Sequence, residues 1–146
     1  MIRHFITFLF LFCLSAFIYG QNNNSTSVDS VYYSDGLITI SCTAEKCTDP
    51  SKGKNQFNVI VTITNHSNYE QEVSYYLEKH FAKYCIGCID PEQQKVHVYT
   101  IPPANKVMGD CFEVASGLSF VSDINLPGAK SKLESFEFKN IQVIQK

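Results

Sequence analysis

The sequence predicts an all-β domain, an immunoglobulin-like sandwich of two antiparallel sheets. Short apolar runs recur along the chain with turn residues between them, which is typical of such sandwiches. Neither strand–helix alternation nor an internal repeat interrupts this pattern. The composition, 45% hydrophobic and 18% charged over 146 residues, is that of a globular protein with one sizeable core.

The first 20 residues have the layout of a secretory signal peptide. Arg3 and His4 form a basic start, an apolar run follows, and Gly20 is a small residue at the expected cleavage point. An uncleaved membrane anchor is the alternative, but the apolar run is short for a span of about 20 residues. We expect a secreted, extracellular protein (periplasmic if the source is bacterial). Its predicted parts are a signal peptide at 1–20, a disordered polar leader at 21–29 and a single β-sandwich domain at 30–146.

The first two strands are predicted around a tight turn. Asp35-Gly36 lies between apolar runs, and this pair favours a hairpin because glycine tolerates the positive φ that the turn needs. Residues 43–56 are charged and contain proline and glycine, which predicts a long loop. Residues 57–64 then alternate apolar and polar side chains more regularly than any other stretch, and predict a strand.

Residues 68–84 fit two secondary structures. Apolar residues recur there at helical spacing, and Ser67 with Glu70 would form a capping box at the start of a helix. The tyrosine-rich run after a polar turn equally suits the partner strand of a hairpin. We favour a strand over residues 72–80, because every other element is predicted to be β, and keep an α+β fold with one helix at about 68–84 as the alternative.

Further strands complete the predicted sandwich. One covers residues 95–101 and another covers 118–126, and each is stopped by a proline. The last covers residues 133–144. Its apolar side chains change faces at about Asn140, which predicts a bulge at that point.

Five cysteines remain after removal of the signal peptide, and an oxidising compartment should pair them. We expect two disulfides and one remaining cysteine, which is then available for an interchain disulfide. The spacing favours a local bridge between Cys42 and Cys47. The second bridge is expected to join Cys111 to Cys85 or Cys88.

The Cys85-Ile86-Gly87-Cys88 stretch has two alternative interpretations. A thioredoxin-like redox pair needs a helix that starts directly after it, and the sequence that follows favours none. A zinc site formed by Cys42, Cys47, Cys85 and Cys88 has regular ligand spacing in only one half, and the compartment favours oxidation. We therefore predict structural disulfides and no metal site.

Motifs for catalysis and for cofactors are missing from the sequence. It contains no G-x-S-x-G, no H-E-x-x-H and no glycine-rich phosphate loop, and His66 and His97 are expected to be solvated. We predict a protein without enzymatic activity or cofactor, and a small secreted enzyme or redox protein is the least favoured alternative. The chain after Gly20 has eleven lysines, no arginine and fourteen acidic residues, and its net charge of −3 gives no support to nucleic acid or an anionic membrane as a partner.

Tyrosines are the candidate ligand-binding residues. Adjacent residues of a strand point to opposite faces, so Tyr32 or Tyr33, and Tyr75 or Tyr76, must point outward. Together with Tyr99, such rings could stack on sugar rings or anchor a protein partner. Three asparagines lie in N-glycosylation sequons, namely Asn23, Asn24 and Asn65.

A family resemblance supports the sugar interpretation. Phe57–Asn68 resembles the strand and turn of small secreted carbohydrate-binding β-sandwiches, the cellulose-binding modules among them. The run Tyr99–Pro103 and Gly109 are similar to the aromatic strand, proline and glycine turn of those modules, so the resemblance covers residues 57–109. Those modules usually carry a Trp on the ligand face, whereas this chain has none. The expected function is a secreted, non-catalytic module that binds extracellular polysaccharide, and the alternative is recognition of a cell-surface or matrix protein.

Overall fold

The computed structural model describes residues 30–88, 94–126 and 129–146. The predicted signal peptide and polar leader, with Asn23 and Asn24, lie outside these ranges. No α-helix occurs within them, and the strands are β1 Ser30–Ser34, β2 Ile38–Asp49, β3 Lys54–Asn65, β4 Gln71–Phe81, β5 Tyr84–Ile86, β6 His97–Ile101, β7 Lys106–Met108, β8 Ser119–Val121, β9 Asp123–Leu126 and β10 Ala129–Gln145.

The strands form two five-stranded antiparallel sheets packed face to face, so the predicted two-sheet sandwich is confirmed. The front sheet has the order β1-β2-β3, and β7 and β8 both pair with β3 at different points along it. The back sheet has the order β9-β10-β4, and β5 and β6 pair with the two halves of β4. The strand prediction for residues 72–80 is confirmed by β4, and the alternative helix at 68–84 is wrong.

The first hairpin follows the prediction. The Oδ1 atom of Asp35 accepts hydrogen bonds from the backbone N–H groups of Leu37, at 2.8 Å, and Ile38, at 2.7 Å. Gly36 has a φ of 90°, a conformation that side chains disfavour. The Asp side chain and the glycine backbone together close the turn between β1 and β2.

The loop predicted over residues 43–56 is wrong, because these residues are the outer arms of a long hairpin. β2 and β3 pair without a register shift from Ile38 opposite Asn65 to Asp49 opposite Lys54. Only residues 50–53 leave the ladder, and Pro50–Lys52 form one turn of 3-10 helix. Main-chain pairing continues beyond the part of the hairpin that contributes core residues, so the polar side chains there gave no strand signal.

The single strand predicted over residues 118–126 is in fact two strands that belong to different sheets. Ser122 separates them: its N–H donates to the carbonyl of Phe57 in the front sheet at 2.8 Å, and its carbonyl accepts from the N–H of Leu133 in the back sheet at 2.8 Å. The bulge predicted at Asn140 is confirmed, because this residue has a φ of 51° and the pairing of β10 with β4 shifts beside it.

The core lies between the sheets and is formed by the inward side chains of both. Each central strand contributes alternate residues, as the pleat requires. The core residues of the front sheet are Ile38, Ile40, Cys42, Val59, Val61, Ile63 and Phe120, and those of the back sheet are Val73, Tyr75, Leu77, Ile101 and Phe138.

The cysteines form two disulfides and leave one thiol, as expected in number, but both predicted pairings are wrong. The bridges join Cys47 to Cys111 and Cys85 to Cys88, with Cα–Cα distances of 5.5 and 5.6 Å, and Cys42 is free and buried. Cys42 and Cys47 are five positions apart on one regular strand, so their side chains leave opposite faces and cannot meet. The zinc site predicted as an alternative from these residues is wrong for the same reason.

Candidate functional site

The candidate ligand-binding tyrosines do not share one exposed face. Tyr75 is fully buried, and its hydroxyl donates to the carbonyl of Gly117 at 3.1 Å. Tyr33 and Tyr99 are half-buried and pack against the core. Their hydroxyls donate to Asp35 and to the carbonyl of Ser116, so these three rings have structural partners.

The two remaining tyrosines lie apart. Tyr32 is 38% exposed, but its ring packs edge-on against Phe138 with centroids 4.6 Å apart, and its hydroxyl accepts from the N–H of that residue at 3.2 Å. Tyr76 lies on the outer face of the back sheet opposite Lys139. Alternation holds for Tyr75 and Tyr76, but a register shift in β1 between Val31 and Tyr33 places both Tyr32 and Tyr33 against core residues.

Asn65 is a structural residue, and its predicted glycosylation is in conflict with its burial. The side chain is 1% exposed. Its amide nitrogen donates to the carbonyls of Tyr69, Ile101 and Pro102 at 2.8, 3.0 and 3.1 Å. A glycan on this nitrogen would remove these hydrogen bonds and would have no exit to solvent.

A cleft of about 770 Å³ opens between the two sheets at the end of the sandwich opposite Asn65. We call it the open-end cleft. The tip of the β2–β3 hairpin forms one wall, and β4 and β5 form the other. The residues that line it include three phenylalanines and three lysines, namely Phe57, Phe81, Phe120, Lys46, Lys54 and Lys79.

Lys79 occupies a position of β4 that belongs to the core-facing row. Gln71, Val73, Tyr75 and Leu77 precede it at every second residue and are all buried. Because side chains alternate along a strand, Lys79 points between the sheets as they do. A charged residue at such a position is unfavourable for folding unless it serves a function.

The ammonium group of Lys79 lies beside an aromatic ring, and His97 lines the adjoining cavity that Lys79 shares. Its Nζ is 5.9 Å from the centroid of the Phe120 ring. Burial lowers the pKa of the Lys79 side chain, because removing water disfavours the charged form. Among the residues that the structure describes, no carboxylate lies within ion-pair distance of this nitrogen. The charge is therefore available to an anionic ligand.

Two further lysines give the mouth of the cleft a positive potential. Lys46 and Lys54 are exposed on the β2–β3 hairpin, and the Nζ of Lys54 is 5.8 Å from the centroid of the Phe112 ring. Asp123 is the acidic side chain among the described lining residues. Since the domain as a whole carries more acidic than basic residues, this local excess of lysine distinguishes the cleft from the rest of the surface.

Phe57 supplies an accessible ring at the same mouth. It lies in the inward row of β3 with Val59, Val61 and Ile63, which are buried, yet Phe57 is 49% exposed because the facing sheet does not cover it. Asn55 also lines the cleft and is exposed. Ring faces, amides and ammonium groups are thus presented side by side.

A smaller cavity of about 240 Å³ adjoins the cleft and shares Lys79 with it. His97 lines this cavity from the inward row of β6, so the expectation that it is solvated is wrong. Burial is the main cause that lowers the pKa of His97, and the charge of Lys95 acts in the same direction. Gly117 has a φ of 82°, and a Cβ there would collide with the His97 ring, which explains the glycine.

Comparison with protein-family models, with curated proteins and with solved structures found no match for this chain. None of the helices in the described part of the chain is long and apolar enough to cross a membrane. The fold therefore defines the class of protein as a two-sheet β-sandwich with a cleft between its sheets, and only the residues that line this cleft indicate a ligand.

Proposed function

We propose that the protein is a secreted, non-catalytic binding module for acidic extracellular polysaccharide, and that the open-end cleft is its binding site. The observation that carries the proposal is Lys79, a lysine in the core-facing row of β4 that has apolar neighbours and no acidic partner among the described residues. An ammonium group held in this way binds a carboxylate more strongly than a fully solvated one does, because less water competes for it.

The other lining residues match the remaining parts of a uronic acid unit. The exposed face of Phe57 suits the C–H face of a sugar ring, and amides such as Asn55 suit its hydroxyl groups. Lys46 and Lys54 lie where carboxylates of neighbouring units would pass. The cleft volume, about 770 Å³, lies within the range that ligand sites usually occupy, roughly 300–1,000 Å³.

An anionic amphiphile is the second candidate ligand. The specific observation in its favour is the aliphatic part of the wall, where Ile86 and Val114 lie beside Phe81. A fatty-acid chain would use this surface and place its carboxylate on Lys79. It would make little use of the exposed amide of Asn55.

Calorimetric titration distinguishes these ligands. The probes are an oligogalacturonate, a neutral cello-oligosaccharide of equal length and laurate, each titrated into the full domain. We expect the oligogalacturonate to bind in the micromolar to millimolar range, more weakly at high salt, and the neutral sugar to bind much less. Lys79→Met should weaken oligogalacturonate binding by about 10-fold or more, since a hydrogen bond to a charged group contributes roughly 1.5–3 kcal/mol.

Lys106→Met is the matched control, because Lys106 is an exposed lysine on β7 outside the cleft. It should leave the affinity for oligogalacturonate unchanged. Binding of laurate without binding of the acidic sugar would replace the saccharide with the amphiphile. Equal binding of the acidic and the neutral sugar, or equal loss in both lysine variants, would contradict the proposal.

A further inference from the structure

A second cluster of side chains lies on the β4–β5 hairpin. His80 on β4 pairs with Cys85 on β5, and Cys88 follows the end of β5 by two residues. One ring nitrogen of His80 and the two sulfur atoms lie within 4.8 Å of one another. The Sγ of Cys88 is 3.8 Å from Nδ1 and 3.9 Å from Nε2 of His80.

This cluster contains the most accessible cysteine of the described residues. Cys88 is exposed, Cys85 is half-buried, and the His80 side chain is 39% exposed. Cys47 is 1% exposed and Cys42 is 4% exposed. A reductant or a metal ion in solution therefore reaches the Cys85–Cys88 bridge through the exposed Cys88, whereas the half-buried Cys111 is bonded to the buried Cys47.

We propose that reduction of the Cys85–Cys88 disulfide creates a binding site for a zinc-like divalent cation, with His80, Cys85 and Cys88 as its ligands. A small-molecule dithiol supplies the two electrons and two protons that convert the disulfide to two thiols, and itself becomes a disulfide. The cation then displaces both protons to solvent and binds two thiolates and one neutral imidazole nitrogen.

The spacing of the donors suits tetrahedral zinc. With Zn–S bonds of about 2.3 Å and Zn–N bonds of about 2.0–2.1 Å, tetrahedral geometry separates a sulfur from a nitrogen by roughly 3.6 Å. The observed separation of Cys88 Sγ and His80 Nδ1 is 3.8 Å. The sulfur atoms need only move apart after their bond is broken. Three protein ligands leave one position for water or another small ligand.

A carboxylate lies behind His80. The Nε2 of His80 is 3.7 Å from the Oε2 of Glu78, so a His80 that binds a cation through Nδ1 would direct its other nitrogen at a carboxylate. Glu78 is itself held, because the side-chain amide of Gln94 lies 3.4 Å from its Oε1. Carboxylates in this role orient the imidazole and strengthen metal binding.

The loop between the cysteines has support other than the disulfide. Gly87 has a φ of 85°, and a Cβ there would collide with the carbonyl oxygen of Leu77. The side-chain amide of Gln94 donates to the carbonyl of Gly87 at 2.5 Å. Because these contacts do not involve sulfur, we expect the loop to keep its place when the disulfide opens.

Cobalt(II) titration of the reduced domain tests the site directly. The protein is reduced, desalted without oxygen and titrated with Co²⁺, and Zn²⁺ is then added as competitor. We expect thiolate-to-cobalt charge-transfer absorption at one equivalent, the d–d bands of tetrahedral cobalt, and loss of both on addition of Zn²⁺. The oxidised protein should show neither band.

Three variants assign the ligands. The double variant Cys85→Ser and Cys88→Ser is reduced and titrated in the same way, and it shows whether the remaining cysteines bind cobalt. It should show no charge-transfer band. His80→Ala should weaken binding by more than about 100-fold, and Glu78→Gln by roughly 10-fold, since second-shell changes alone cost 10- to 100-fold. His66→Ala is the matched control for an exposed histidine, and should bind as the parent does.

Near-UV circular dichroism of each variant separates loss of the fold from loss of the site. Absence of the cobalt bands in a reduced, folded parent protein overturns the proposal. So does a band that survives in the double serine variant, or an affinity that is equal in His80→Ala and His66→Ala. The polysaccharide titration uses the oxidised protein, so either proposal can fail without the other.

Discussion

The two ends of the sandwich use the same strands in opposite ways. At the closed end, where β3 ends and β4 begins, Asn65, Gln71 and Ile101 are at most 1% exposed. At the open end, Phe57 on the same strand as Asn65 is 49% exposed, and Lys79 on the same strand as Gln71 lines a cleft. The inward rows of β3 and β4 are continuous, but at the open end Phe57 of the β3 row is uncovered while Phe81 of the β4 row stays buried.

Polar groups at the two ends show what this difference means. The side chain of Asn65 makes hydrogen bonds through both its nitrogen and its oxygen, which accepts from the N–H of Ser67 at 2.9 Å. Lys79 is oriented equally inward and has no such partner among the described residues. The hydrogen bonds of Asn65 stabilise the closed end, whereas the half-buried ammonium group of Lys79 is left to solvent or to a ligand.

The largest effect on stability is expected from the adjacent tyrosines of β4. Only the ring that points into the covered part of the sandwich should contribute to stability. Tyr75→Ala removes a fully buried ring and should lower the free energy of unfolding by about 3–5 kcal/mol. Tyr76→Ala, on the outer face, should cost less than about 1 kcal/mol. Urea unfolding of both variants measures the difference, and equal costs would show that the inward rows are wrongly assigned.

Asparagines of β3 compare the two ends directly. Asn65→Ala leaves buried carbonyls without donors and should destabilise the protein by roughly 3 kcal/mol, since each unsatisfied buried group costs about 1–3 kcal/mol. Asn55→Ala, on the exposed part of the same strand, should change stability by less than about 0.5 kcal/mol. Chemical denaturation at neutral pH measures the stability of both variants. If Asn65→Ala is as stable as the parent, the closed end is not the more stable end of the sandwich.

Lys79 should show a smaller effect with a defined pH dependence. Its pKa is lowered in the folded protein, so below that pKa the charged form destabilises the fold relative to Lys79→Met. As pH rises from the lowered pKa toward the ordinary lysine value of 10.5, the unfolded chain keeps more protons and the penalty disappears. We therefore expect the variant to be at least as stable as the parent at pH 7, with the gap narrowing at alkaline pH.

Paired urea titrations of the parent and Lys79→Met at neutral and alkaline pH measure this gap. Subtracting the two proteins removes the contribution of groups that Lys79 does not affect, and His97, whose pKa the charge of Lys79 helps to lower, is mostly neutral at both pH values. A gap that widens in favour of the variant at alkaline pH would mean that the Lys79 ammonium is stabilised in the fold. It would then have a partner, and the argument for an anionic ligand would lose its basis.

The fold was predictable where side chains alternate. The hairpin at Asp35-Gly36, strand β4 and the bulge at Asn140 all follow from apolar periodicity or from glycine chemistry. The arms of the β2–β3 hairpin were missed, because their pairing is made by the main chain and their side chains are polar. The division of residues 118–126 into two strands at Ser122 was not predicted, because the apolar periodicity does not change where the chain passes from one sheet to the other.

The candidate site was less predictable, for a related reason. Lys79 interrupts the inward row of β4, and that signal was present in the sequence once the segment was taken as a strand. The exposure of Phe57 depends on where the opposite sheet ends, which no local pattern encodes. The meeting of His80 with Cys85 and Cys88 depends on a hairpin register that sequence spacing alone did not indicate.

Chemical-shift mapping tests most directly the claim that the uncovered end of the sandwich binds an acidic sugar. Oligogalacturonate is titrated into the ¹⁵N-labelled domain, and backbone amides are followed at both ends. We predict chemical-shift changes at the amides of Asn55, Gln56, Lys79 and Ile86. The amide shifts of Ser67 and Gln71 at the closed end should stay unchanged. Shifts confined to the closed end, or to the outer face around Tyr76, would contradict it.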